Sequence, residues 1–142
     1  MAAVTDIADA IVAQLEDGSF VVDFTICRAY RPEYSLTQLK TVQVTVVPKT
    51  MEWTAATKIR DNRQYTVDIA IQQKLANEEA GTVDPLMLLA EQFCTVLFRH
   101  RLDAMESALC VEIANEPIYS LEHLEEHAVF TSLLTATYRL MG

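Results

Sequence analysis

Glycine and proline are scarce in this 142-residue chain, which holds 3 Gly, at positions 18, 81 and 142, and 4 Pro. Three scattered glycines exclude the Gly-rich loops that cradle phosphates, and no serine sits in a G-x-S-x-G elbow. The same scarcity, with no low-complexity segment and no internal repeat, argues against flexible linkers, so one domain spanning residues 1–142 is expected. Cysteine is also sparse. Cys27, Cys94 and Cys110 are an odd, widely spaced set inside apolar patterns, which disfavours a disulfide framework or a Cys-based metal site and predicts three buried thiols.

Basic residues are outnumbered, 11 Lys and Arg against 20 Asp and Glu, giving a net charge of -9. That balance opposes tight nucleic-acid binding, which depends on cations neutralising phosphates. Long apolar runs are missing as well: no stretch approaches the roughly 18 residues of a membrane span. The opening "MAAVTDIADAIVAQLEDG" is interrupted by Asp6, Asp9 and Glu16 and does not read as a secretory signal. Synthesis and folding in the cytosol, with no membrane partner, are expected.

What the chain does have is 51% hydrophobic residues, enough for one well-formed core, and clear periodicities. Ile7, Ala10, Ile11 and Leu15 fall on one stripe of a first helix that Gly18 is placed to end, and Leu86, Leu89, Phe93, Val96 and Leu97 define a second helix from Pro85 to about His100, capped by Asp84. Period-two alternation predicts strands in "SFVVDFTICRAY", "LKTVQVTVVP", "QYTVDIAIQQKL", "ALCVEIANEPIY", with Leu109, Val111 and Ile113 inward, and "AVFTSLLTATYRL". The expected fold is therefore α+β: a mainly antiparallel or mixed sheet of about five strands, with two helices packed on one face.

Two features do not belong to a core. One is residues 49–63, "KTMEWTAATKIRDNR", which shows no sustained period and reads as a long irregular connection. It contains Trp53, Lys58, Arg60 and Arg63, and lies in the one locally basic stretch, where Lys49, Lys58, Arg60, Arg63 and Lys74 outnumber Glu52, Asp61 and Asp68. An aromatic anchor beside cations suits an interface, and the alternative is an exposed loop. The other feature is a sheet face rich in uncharged polar groups: Gln43 and Thr45, then Thr66, Asp68 and Gln72, then Thr131, Thr135 and Thr137. This face is either solvated or a contact surface, since Thr and Gln desolvate cheaply when they find hydrogen bonds.

Chemistry is poorly supported. "HLEEH", from His123 to His127, matches the H-x-x-E-H pattern in which two His share a metal and Glu126 acts as base, but no Asp, Glu, His or Cys follows His127 to complete the ligand set. A Cys94 or Cys110 nucleophile paired with His100 would have to be assembled in space, and buried thiols are the simpler reading. No catalytic residue, metal or cofactor is expected.

The strings "TVQVTVVPKT", "RDNRQYTVDIAIQQKL", "TVDPLMLLAEQFCTVL" and "FTSLLTATYRL", in this order and covering about residues 4 to 140, resemble phage tail-terminator and tail-completion proteins. The resemblance implies a non-enzymatic virion protein at the head-tail junction. Such a protein forms a homo-oligomeric ring, a hexamer, caps the tail tube, and meets the tail tube protein and a neck or head-completion protein while genome DNA passes through without specific binding. Another neck or head-tail joining protein is the alternative within this class, and a small metal-dependent hydrolase built on His123, Glu126 and His127 the alternative outside it. On the ring reading, the Trp53 segment is expected to dock on a neighbour or the tail tube. The Thr, Asp and Gln face is expected to lie against another copy or line the ring, so that Lys at Thr45 and Thr135 would impair assembly and leave the monomer folded.

Overall fold

The computed structural model describes residues 3–30, 41–55, 57, 61–75, 80–116 and 129–140. Among them, helix α1 spans Ala3–Glu16 and α2 Ala80–Leu97; the strands are β1 (Thr25–Arg28), β2 (Gln43–Ala55), β3 (Asp61–Lys74), β4 (Arg101–Leu102), β5 (Met105–Asn115) and β6 (Val129–Leu140). The strands form one sheet in the order β1-β2-β3-β6-β5-β4. β1 and β2 are parallel and every other neighbouring pair is antiparallel, so the α+β architecture with a mixed sheet holds. The sixth strand, β4, has only two residues, too short for any period to betray it.

The centre of the sheet follows the alternation closely. Tyr65, Val67, Ile69 and Ile71 of β3 pair with Tyr138, Ala136, Leu134 and Ser132 of β6, and all eight are buried on one face. Val44 and Val46 of β2 extend that face next to Ile71 and Ile69. Ile7, Ile11 and Leu15 of α1, with Leu86, Leu89, Phe93 and Leu97 of α2, complete a single buried cluster with it. α1 touches strands from both edges of the sheet, β1 and β4, so the sheet curls around this helix.

Local departures from the sequence reading have identifiable causes. Gly18 follows α1 as expected, but no described glycine adopts a left-handed backbone. A Cβ at this position would stand 2.5 Å from the Phe20 ring, so a larger residue would require that ring to move. That ring in turn packs at 5.5 Å on Phe24 and 5.1 Å on Phe93, tying the segment after α1 to α2. α2 begins at Ala80 rather than Asp84, with Pro85 inside it, where the missing N–H forfeits a single helical bond. The left-handed residue past α2 is Arg99, φ 63°, held by its N–H to the Cys110 carbonyl at 3.0 Å. In β5 a bulge between Cys110 and Glu112 exchanges the faces. Ala108 and Cys110 face the core before it and Ile113 after it, so the even alternation of Leu109, Val111 and Ile113 is overturned.

Candidate functional site

β2 and β3 form a long hairpin whose outer half leaves the body of the protein. The expected irregular loop at residues 49–63 is corrected here: Lys49–Ala55 continue β2, and the ladder runs to Thr54↔Asn62 and Ala55↔Asp61. Two physical causes hid it. A bulge between Pro48 and Thr50 resets the alternation, and every residue from Lys49 to Ala55 is exposed, so no inside-outside pattern is imposed on the side chains.

On this projection Trp53 and Arg63 are cross-strand partners. The Arg63 guanidinium lies 4.1 Å from the Trp53 ring centroid, and Trp53 Nε1 donates to Tyr65 Oη at 3.1 Å. Arg63 Nη2 also donates to Asp61 Oδ2 at 3.3 Å. Met51, opposite Tyr65, and Trp53 lie on the same face as the core but beyond its limit, 62% and 54% exposed. The result is an organised apolar and cationic surface rather than a loose loop. Lys58 and Arg60 lie outside the described residues.

The polar sheet face divides into two parts. Gln43, Thr45 and Gln72 are buried within the single chain, at 8%, 1% and 7% exposure, next to buried Ala70. This end needs no second copy to cover it, and a Lys at Thr45 would strike the folded monomer itself, contrary to expectation. Thr66, Asp68, Thr131, Thr135 and Thr137 are half-buried. Thr135 Oγ1 donates to Asp68 Oδ1 at 2.9 Å, and Lys49 Nζ approaches the same oxygen at 3.7 Å, so the Asp68 carboxylate is compensated within the chain. Gln72 Nε2 reaches Thr131 Oγ1 at 3.5 Å, leaving Gln72 Oε1 buried without a partner.

Two exposed features escaped the sequence reading. Leu88 of α2 and Phe98, just past its end, are exposed, 44% and 40%. β5 is paired on its outer side only near its start, at Arg101↔Leu109 and Leu102↔Met105, with backbone bonds from Arg99 and His100 reaching Cys110. From Val111 to Ala114, among the described residues, β5 has a strand neighbour on the β6 side alone. A shallow hollow of about 380 Å³ lined by Glu91, Cys94, Thr95, Phe98 and Ile113 runs beside that edge. An open edge is a property of sheet order, which no local pattern encodes.

No constellation for catalysis forms among the described residues. They contain no group of three or more His, Cys, Asp and Glu able to hold a metal, and His123, Glu126 and His127 lie outside them. The His100 ring engages the Phe98 carbonyl at 2.8 Å rather than a thiol. Cys110 is buried and Cys94 half-buried, but Cys27 is exposed, which corrects the expectation of three buried thiols. Burial pushes the Cys94 thiol up, and that of Cys110 to about 11, away from the nucleophilic thiolate. Among the described residues no helix is long and apolar enough to cross a membrane.

No protein-family model and no curated protein sequence matches the chain. Among solved structures, one chain of a particle described as "Virion of native gene transfer agent (GTA) particle" shares the fold over 100% of this chain and 100% of its own length, with a TM-score of 0.60 and 13% identity.

Proposed function

We propose that this chain is a non-enzymatic structural protein of a phage-like virion, acting at the head-tail junction as a ring that caps the tail tube and joins it to the neck. The observation that carries this reading is the end-to-end correspondence of the fold with a chain of a gene transfer agent virion, with no unmatched domain on either side. It agrees with the resemblance of the strand motifs to tail-terminator proteins.

The surface chemistry supports assembly. A ring subunit must expose apolar groups to a partner while staying soluble, and the Met51 and Trp53 projection on a chain of net charge -9 does both. Repeated around a channel, that acidic balance would repel phosphates and let DNA pass without adhering.

The test is the native mass of the purified chain, followed by electron microscopy alone and with isolated tail tubes. Closed rings that decorate one end of each tube are the expected result. A chain that stays monomeric at high concentration and ignores tube ends would sink the proposal.

A further inference from the structure

A closed ring needs two different, complementary patches on each subunit, because a head-to-tail contact never pairs a surface with itself. The sheet carries such a pair at one height on opposite edges. Glu52 of β2 pairs with Gln64 of β3, Gln64 with Arg139 of β6, Arg139 with Leu109 of β5, and Leu109 with Arg101 of β4. Cross-strand partners share a face, so Glu52 and Arg101 are the two ends of one row on the face turned away from the core. Both are exposed, and their charges are opposite. Arg101 Nη1 donates to the Glu106 carbonyl at 3.1 Å, a partner with no formal charge. Exposed Arg99, fixed by its N–H on Cys110, adds a second cation to this edge one pair nearer the middle of the sheet.

The other face matches as well. Every step from β2 through β3, β6 and β5 to β4 is antiparallel, so β2 and β4 run the same way, toward the end of the sheet where the hairpin projects. One residue past Glu52 in that direction is Trp53, 54% exposed on the core face of its strand. Past Arg101 and buried Leu102, the β4–β5 turn is tied to α1 by the Asp103 N–H, which donates to Gln14 Oε1 at 3.1 Å. Beside this tie lies a hollow of about 370 Å³ lined by Asp6, Asp9, Ala10, Ala104 and Met105. Its lining joins apolar side chains to two carboxylates, of which Asp9 is bound by Arg28 at 2.6 Å. Trp53 and the Arg63 guanidinium stacked on it offer the counterpart, an apolar plate carrying a cation. The described part of the hairpin has no net charge, Lys49 and Arg63 balancing Glu52 and Asp61. The match therefore lies in where each sign stands: Glu52 toward Arg101 on one face, Arg63 toward Asp6 and Asp9 on the other.

We infer that the projecting hairpin of one copy docks on the β4 edge of the next, setting Glu52 against Arg101 and seating Trp53 in the hollow between α1 and the β4–β5 turn. This contact rests on the ring reading and specifies how neighbours meet. The β4 strand keeps its own place beside β5, and the hairpin meets its far side. Burial of the indole supplies cohesion, and the charge pair fixes the level at which the two edges align. Every copy gives its hairpin and receives on β4.

The experiment uses the full chain. Glu52→Arg and Arg101→Glu change exposed side chains and should fold normally, as circular dichroism would verify. Each reversal alone is expected to raise the midpoint concentration for assembly about tenfold, and the two combined in one chain to restore it. In a Cys27→Ser background, mixing Glu52→Cys copies with Arg101→Cys copies under oxidation should yield disulfide-linked heterodimers that neither variant forms alone. A wild-type chain that never assembles would remove the ring reading and this contact together. An intact oligomer that is indifferent to both reversals, or that the double reversal fails to rescue, and that stays uncross-linked in the mixture would leave the ring standing and overturn this contact alone.

Discussion

Arg63 stacks on Trp53 across the β2–β3 ladder, its guanidinium 4.1 Å from the indole centroid, on a part of the hairpin that the core does not reach. The pair, with Tyr65 holding the indole N–H at 3.1 Å, keeps an exposed aromatic in one orientation before any partner arrives. Preorganisation of this kind lowers the ordering cost of association.

Trp53→Ala should therefore cost the monomer little, about 1 kcal/mol or less from the lost stacking and hydrogen bond, while strongly weakening assembly. The chain has 1 Trp, so its fluorescence reports the site directly. Emission should shift to the blue as concentration rises through the assembly midpoint. Emission that stays constant while the mass increases would show that the indole remains in water and that the hairpin is not the contact.

Thr45 and Thr135 share the polar face but not its environment, and Lys should separate them. Thr45→Lys places a cation where the chain is already closed, at 1% exposure, and should lose about 3 kcal/mol of stability in urea unfolding. Thr135→Lys loses one hydrogen bond to Asp68 but sets an ammonium beside that carboxylate, so a loss below about 1.5 kcal/mol is expected. Equal losses would show that the two ends of the face are equally enclosed.

Stability should fall on the alkaline side. Burial raises the Cys110 thiol from 9.0 to about 11 in the folded chain, and Tyr138, whose buried hydroxyl lies beside that thiol, is raised as well. The unfolded thiol ionises first. The Cys110 contribution is therefore complete below pH 9 and is lost as pH climbs from 9 to 11, by about 2–3 kcal/mol. Urea midpoints followed from pH 8 upward should slope downward in wild type and less so in Cys110→Ala. Parallel slopes would remove Cys110 as the cause.

Replacing His123 and His127 together with Ala should leave native mass and tube binding unchanged, since the H-x-x-E-H string lacks a third ligand downstream. Stoichiometric zinc in protein purified without added metal, lost in the double variant, would contradict this and revive a metal-dependent role.

The two helices, the inward face of β3 and β6, and the α+β class are legible in the residues alone. In each of these, burial on one side alone imposes a period on the side chains: Ile7, Ile11 and Leu15 at helical spacing, and Tyr65, Val67, Ile69 and Ile71 at every second residue. The residues also mark Trp53 and Arg63 as unusual, because neither belongs to any buried period. That these two sit on a projecting strand pair follows from the folded arrangement and not from any local pattern. Exposure on both faces erases alternation, and the bulge at Pro48–Thr50 shifts its phase. The same holds for the β5 bulge, the enclosure of Thr45 and Gln72, and the strand edges of β2 and β5 that have no partner among the described residues. These depend on which strands become neighbours, and strand order is set by contacts between residues far apart in the chain, whose individual patterns carry no record of one another.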